Sequence, residues 1–122
     1  MADHGAAFLK IVDESKSKIK ELTIDEVWAK IQAGEKFKFV DVREDSEWAT
    51  GRARGAIHIG KGVIERDIES AIPDKSAEIV LYCGGGFRSA LAAEALQKMG
   101  YSRVASMDGG IRAWRDKKLP LE

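Results

Sequence analysis

Cys83 is the one cysteine of this 122-residue chain, and Gly84, Gly85, Gly86, Phe87, Arg88 and Ser89 follow it directly. Three consecutive glycines let a backbone curl tightly enough to turn several N–H groups inward, because positive-φ conformations carry little steric cost without a Cβ. A curl of that kind cradles an anion. Arg88 adds a planar fork of permanent charge. A thiol at the mouth of such a cradle is expected to react as thiolate, since inward N–H groups, a helix N-terminus and a guanidinium all favour negative charge on sulfur. A cysteine at a strand end is more often a small buried hydrophobe, but a structural thiol has no need of the glycines and the arginine after it. Cys83 and Arg88 are therefore the candidate catalytic residues, and Gly84, Gly85, Gly86, Phe87 and Ser89 the candidate substrate-binding loop.

Elements on both sides must hold that loop in place. Ile79, Val80 and Leu81 form a short apolar, β-branched-rich run of the kind found at the centre of a parallel sheet. The stretch 89–99 is rich in strong helix formers, with Leu91, Ala95 and Met99 on one stripe, and Gly100 is placed to end it. Upstream, residues 6–20 carry Phe8, Ile11, Val12 and Ile19 at helical spacing among alternating charges, which predicts a peripheral helix with a solvated face. Residues 19–22 suit a short edge strand. Thr23 and Glu26 have the spacing of a capping box, predicting a helix through Val27, Trp28 and Ile31 to Gly34.

Residues 37–43 read as a strand that becomes apolar on both faces except at Asp41. An unpaired buried acid is costly, so Asp41 should meet a cation, and Arg43 and Arg54 are the nearest in sequence. The expected duty of Asp41 and Arg43 is support, a salt bridge tying the strand end to the neighbouring loop. A short helix over 44–50, a brief strand over 56–59 and an amphipathic helix over 61–72 through Val63, Ile64 and Ile68 complete the middle of the chain. Residues 102–107 give a fifth strand and 111–117, with Trp114, a last helix. His58, between two isoleucines, reads as a satisfied structural histidine, and His4 falls in a terminus expected to be mobile. No obvious Cys/His pair is available. Arg112, Arg115, Lys117 and Lys118 read mostly as a solvated face.

Lys+Arg and Asp+Glu both number 20, so the formal net charge is +0. That balance removes the electrostatic case for nucleic acid or an anionic membrane, and substrate charge must be handled locally. One cysteine cannot form an intramolecular disulfide, and the first residues lack the basic start and apolar core of a signal peptide. A cytoplasmic protein is expected. Strands alternating with helices at this spacing predict an α/β domain with a mainly parallel, five-stranded sheet and helices on both faces, placing Cys83 at the carboxyl end of a central strand, where such sheets bind ligands.

The chain resembles a single-domain rhodanese, a sulfurtransferase of the thiosulfate type, over residues 20–119. The resemblance rests on Asp41-Val42-Arg43-Glu44 with Glu47 after it, on Gly55-Ala56-Ile57-His58-Ile59, on Cys83-Gly84-Gly85-Gly86-Phe87-Arg88-Ser89, and on Gly109-Gly110 followed by Trp114. It implies a three-layer rhodanese-like domain over 19–120 behind an N-terminal extension over 1–18, with Cys83 as the catalytic cysteine, residues 84–88 as its loop, and Asp41 and Arg43 as a structural pair. It also implies a double displacement, in which Cys83 takes the outer sulfur of a small anionic donor and passes it from a persulfide to cyanide, a thiol or a protein acceptor. Arg88 would stabilise the departing oxyanion. Neither a cofactor nor a metal is needed, and a monomer or weak homodimer is expected. Two features depart from the family pattern: Arg52-Ala53-Arg54-Gly55 replaces a frequent His-Ile before the Gly-Ala element, and the loop carries no basic residue before Arg88. The first changes the site rim or adds positive charge there, and the second points toward a persulfide rather than thiosulfate as donor. A cysteine phosphatase or arsenate reductase uses a similar cradle, but four residues separate Cys83 from Arg88, one fewer than such loops use. A sulfur-carrier or regulatory module that docks on a partner is the non-enzymatic alternative.

Overall fold

The computed structural model describes residues 4–122. Residues 1–3, which open the stretch read as lacking a signal peptide and the 1–18 extension, lie outside that range. In chain order the strands are β1 (Lys20–Leu22), β2 (Lys38–Asp41), β3 (Ile57–His58), β4 (Ile79–Tyr82) and β5 (Val104–Met107). The helices are α1 (Ala6–Lys16), α2 (Ile24–Gln32), α3 (Asp45–Ala49), α4 (Ile64–Ala71), α5 (Phe87–Lys98) and α6 (Gly110–Asp116), with one 3-10 turn at Lys61–Val63. The strands form a single sheet in the order β1-β5-β4-β2-β3, and every pairing is parallel.

Strand β4 lies in the middle of that order, so neighbours flank it on both sides and helices cover both faces. Its four residues are all fully buried. Because side chains alternate along a strand, Ile79 and Leu81 join one core with Ile64, Ile68, Ala92, Ala93 and Leu96, while Val80 and Tyr82 join the other with Phe39, Met107 and Trp114. Helices α4 and α5 therefore cover one face and α2 and α6 the other, the three-layer α/β arrangement expected from the sequence. Each fully buried Leu, Ile or Val contributes about 1.5–3 kcal/mol. The strand that carries Cys83 is thus among the most firmly held parts of the molecule.

Local signals explain most boundaries. The capping box at the start of α2 is complete: Glu26 N–H donates to Thr23 Oγ1 at 3.1 Å, and Thr23 N–H donates to Glu26 Oε1 at 2.9 Å. Helix α5 begins two residues before the predicted start, because Gly86 adopts φ +101 and serves as its N-cap. The stripe that α5 buries against the sheet consists of Ala92, Ala93 and Leu96, with Met99 partly buried against the same core, rather than Leu91 and Ala95. Helix α1 also packs on α5, and little of α5 is left in water. The helix predicted over 6–20 forms over Ala6–Lys16 as a peripheral element with a solvated face; it buries Val12 and Ser15, and Ser15 Oγ donates to Glu94 Oε1 at 2.7 Å. Over 61–72, Val63 sits in the 3-10 turn and is exposed, so the buried stripe there is Ile64, Ile68 and Ile72. No helix among the described residues is long and apolar enough to cross a membrane.

Candidate active site

Cys83 is the first residue after β4, at the carboxyl edge of the sheet, and its side chain is only 1% exposed. Three groups converge on its sulfur. Gly86 N–H donates to Sγ at 3.1 Å, Ser89 N–H donates at 3.4 Å, and Ser89 Oγ lies at 3.5 Å. Ser89 Oγ is itself fixed by the buried hydroxyl of Ser106, 2.8 Å away on β5. Two of these donors come from the first turn of α5 and its cap, where N–H groups lack intrahelical partners. Negative charge on Sγ is therefore met by groups that folding has already oriented.

The glycines are required by close approach. A Cβ on Gly86, already at φ +101, would stand 3.2 Å from Gly109 N and 3.3 Å from Asp108 Oδ1. Gly110 approaches from the opposite side at φ +57, and a Cβ there would collide with the Cys83 and Gly84 carbonyls. Its closeness lets Ile111 N–H donate to Cys83 O at 2.9 Å and Arg112 N–H to Gly84 O at 3.1 Å. The cysteine loop is thus pinned from below by α5 and from the side by α6.

A pocket of about 910 Å³ opens above the sulfur, lined by Cys83, Gly84, Gly85, Phe87, Arg88, Glu47, Arg112, His4 and Phe8. It brings together the predicted Cys83, Arg88 and most of the predicted loop. Ser89 and Gly86 lie beneath, holding the sulfur rather than facing the pocket.

Arg88 differs from expectation. Its guanidinium is not an open fork: Nη1 donates to Glu47 Oε1 at 2.6 Å and Nη2 to Glu47 Oε2 at 3.0 Å. The hydrogen bonds from Arg88, joined by one from Glu44 N–H, outweigh partial burial and hold the Glu47 carboxyl at about 2. Arg88 in turn is held above its ordinary value, first by the Glu47 hydrogen bond and then, against the cost of burial, by the charge of Cys83 and of Glu47 itself. Glu47 sits on α3, and the sequence offered only its place near Asp41-Val42-Arg43-Glu44 as a hint.

Two further residues, both exposed, reach the pocket. Arg112, expected on a solvated face, leans over the loop: a Cβ on Gly85 would stand 3.2 Å from its Nη1, and one on Gly84 3.8 Å from its Nη2. The double glycine at 109–110, which draws α6 against the loop, is the signal that could have found it. His4, in the terminal stretch before α1, is exposed and lies with its ring 5.0 Å from Phe87 and 5.3 Å from Phe8.

Asp41 and Arg43 lie outside the pocket that opens on the sulfur. Arg43 Nε and Nη2 donate to the Asp41 carboxylate at 2.8–3.1 Å, the Arg43 N–H donates to Asp41 Oδ1 at 2.9 Å, and Nη2 also reaches Gly51 O at 2.7 Å. Burial opposes the Arg43 charge, but the hydrogen bond and charge of Asp41 prevail and hold it above its ordinary value. Arg43, not Arg54, is therefore the partner of Asp41. His58 is satisfied structurally, with Nε2 2.8 Å from Arg43 O and its ring stacked on Trp48 at 4.8 Å.

The rhodanese-like domain family matches residues 23–117. A putative sulfurtransferase of Bacillus subtilis is 36% identical over 84% of this chain and 96% of its own length. A thiosulfate sulfurtransferase of Haemophilus influenzae is 31% identical over 84% of this chain and 94% of its own. Among solved structures, a protein of unknown function from Rhodopseudomonas palustris, described as a possible tyrosine phosphatase, superposes with TM-score 0.89 at 32% identity, covering 100% of this chain and 99% of that one.

Proposed function

The chain belongs to the rhodanese-like family, whose relatives in this comparison support a general sulfur-transfer role, and from that premise we propose that it transfers sulfane sulfur through a persulfide on Cys83. The donor is a small anion, thiosulfate or a persulfide, and the acceptor is thiophilic: cyanide, a thiol or a protein. The observation that carries this reading is the convergence of Gly86 N–H, Ser89 N–H and Ser89 Oγ on Sγ at the floor of the pocket.

The Cys83 thiolate attacks the outer sulfur of the donor. One S–S bond forms at Sγ as the donor's own S–S bond breaks, and that electron pair leaves on sulfite when the donor is thiosulfate or on a thiolate when it is a persulfide. The terminal sulfur then stands about 2 Å beyond Sγ, the length of an S–S bond. That reach matters because Sγ itself is almost wholly covered, so the pocket presents a persulfide to an acceptor better than it presents the thiol. An acceptor nucleophile attacks the terminal sulfur and returns the electron pair to Sγ, which the three donors are placed to receive. Inward-facing arginines keep the site positive, with Arg88 positioned by Glu47.

The phosphatase reading attached to the Rhodopseudomonas relative is disfavoured here. Phosphatase loops of this kind place five residues between cysteine and arginine, whereas Gly84, Gly85, Gly86 and Phe87 supply four, and the tighter ring favours a sulfur atom at Sγ over a tetrahedral phosphoryl group. The loop N–H of Gly86 also points at sulfur rather than at the space above it. Steady-state thiocyanate formation from thiosulfate and cyanide tests the proposal: Cys83→Ser should fall to the uncatalysed rate, and turnover equal to wild type would remove Cys83 from the reaction.

A further inference from the structure

We propose that the natural sulfur donor is an organic anion rather than inorganic thiosulfate, with its apolar or aromatic group against the wall formed by His4, Phe8 and Phe87 and its charged group on Arg112. The inference rests on the sulfur-transfer reading and names the substrate class for the same pocket.

Size is the first ground. At about 910 Å³ the pocket lies near the top of the range that holds drug-sized ligands, and an inorganic dianion would fill one corner of it. Composition is the second. One wall is aromatic: the His4, Phe8 and Phe87 rings lie 5.0, 5.3 and 6.2 Å apart in tilted contacts, and all three residues line the pocket. The phenyl rings of Phe8 and Phe87 have nothing to offer thiosulfate, whereas they receive an apolar or aromatic group well. Charge is the third. Arg88 is committed to Glu47, but among the described residues no carboxylate forms an ion pair with Arg112, whose fork lies over Gly84 and Gly85 beside the reacting sulfur. Bidentate binding of an oxyanion is what an unpaired guanidinium does best.

His4 and Phe8 also lie outside residues 23–117, the part matched by the family, while the Rhodopseudomonas neighbour shares the full length. Two of the wall's three rings, His4 and Phe8, are thus an addition to the common sulfur-transfer domain, supplied by the N-terminal segment and packed on Phe87 of the loop. With an organic thiosulfonate the chemistry balances as before: Cys83 thiolate bonds to the outer sulfur, the S–S bond breaks, and its electron pair leaves on an organic sulfinate.

The test compares benzenethiosulfonate, methanethiosulfonate and thiosulfate as donors, with cyanide as acceptor and each rate divided by that of a free thiol with the same donor. Wild-type kcat/KM, so normalised, should favour the aromatic donor over the other two by roughly tenfold or more. Phe8→Ala should reduce that preference about fivefold, and Phe8→Leu should restore part of it. Arg112→Gln should raise KM for all three about tenfold while kcat changes little. A purely structural role for Phe8 would lower all donors alike. An unchanged donor ratio in Phe8→Ala, or no wild-type preference, overturns the inference and leaves sulfur transfer standing. Failure of all three donors to load Cys83 overturns the sulfur-transfer reading itself.

Discussion

Replacing Gly110 by alanine places the sharpest steric load on the cysteine loop. At φ +57 a side chain costs about 1 kcal/mol in backbone strain. The new Cβ would also collide with the Cys83 and Gly84 carbonyls, and because both are backbone, no rotamer change relieves the contact. The start of α6 must back away. That sacrifices the hydrogen bonds from Ile111 N–H to Cys83 O and from Arg112 N–H to Gly84 O, at about 1 kcal/mol each. The expected loss is about 3 kcal/mol. For 122 residues the unfolding entropy is about 0.26 kcal/mol per degree, so Tm should fall by about 12 °C. Gly34→Ala supplies the control, since Gly34 has a similar φ of +72 but nothing within 4 Å of its would-be Cβ. It should cost only the strain, about 4 °C. Calorimetry on both variants, with the rate of sulfur loading on Cys83 measured beside it, checks the reasoning. Equal Tm losses, or a Gly110→Ala protein that loads sulfur at the wild-type rate, would refute the claim that α6 sets the loop.

Asp41→Asn leaves the Arg43 charge buried without its counter-ion, both side chains being 3% exposed or less, and should cost about 3–5 kcal/mol with a Tm loss of at least 10 °C by calorimetry. A loss under 4 °C would mean that Gly51 O and water can hold Arg43 alone. Glu47 is held at about 2 in the folded protein, below its ordinary 4.5, so its pairing with Arg88 stabilises fully above about pH 4.5 and is lost as pH falls toward 2. Urea unfolding as a function of pH should therefore show a shallower acid slope for Glu47→Gln between those values, and identical slopes would contradict the pairing.

The sheet was readable because β4 and the loop after it are local features: an apolar run, three glycines, a helix-forming stretch. Asp41 announced its own partner, since a buried acid demands one and Arg43 is two residues away. Glu47 is different. It meets Arg88 only after β2 and β4 pair in parallel and bring positions 41 residues apart together, and nothing in its local sequence requires that partner. Arg112 is exposed, as its charge pattern implies, and its place beside the loop was not legible because that depends on the approach of α6 at Gly110. Phe8 and His4 reach the pocket only through the packing of α1 on α5, which no local pattern announces. Sequence patterns located the cysteine and its glycine loop; tertiary contacts decided which cations around them are paired.

The central claim is that Cys83 carries the transferred sulfur. Intact mass of the reduced protein before and after a sulfane donor, followed by a cyanide chase, tests it most directly. The wild type should gain one sulfur atom and release it as thiocyanate, and Cys83→Ser should gain none. A folded wild type that gains no sulfur from thiosulfate or any organic sulfane donor, or a Cys83→Ser protein that gains as much, would contradict the account.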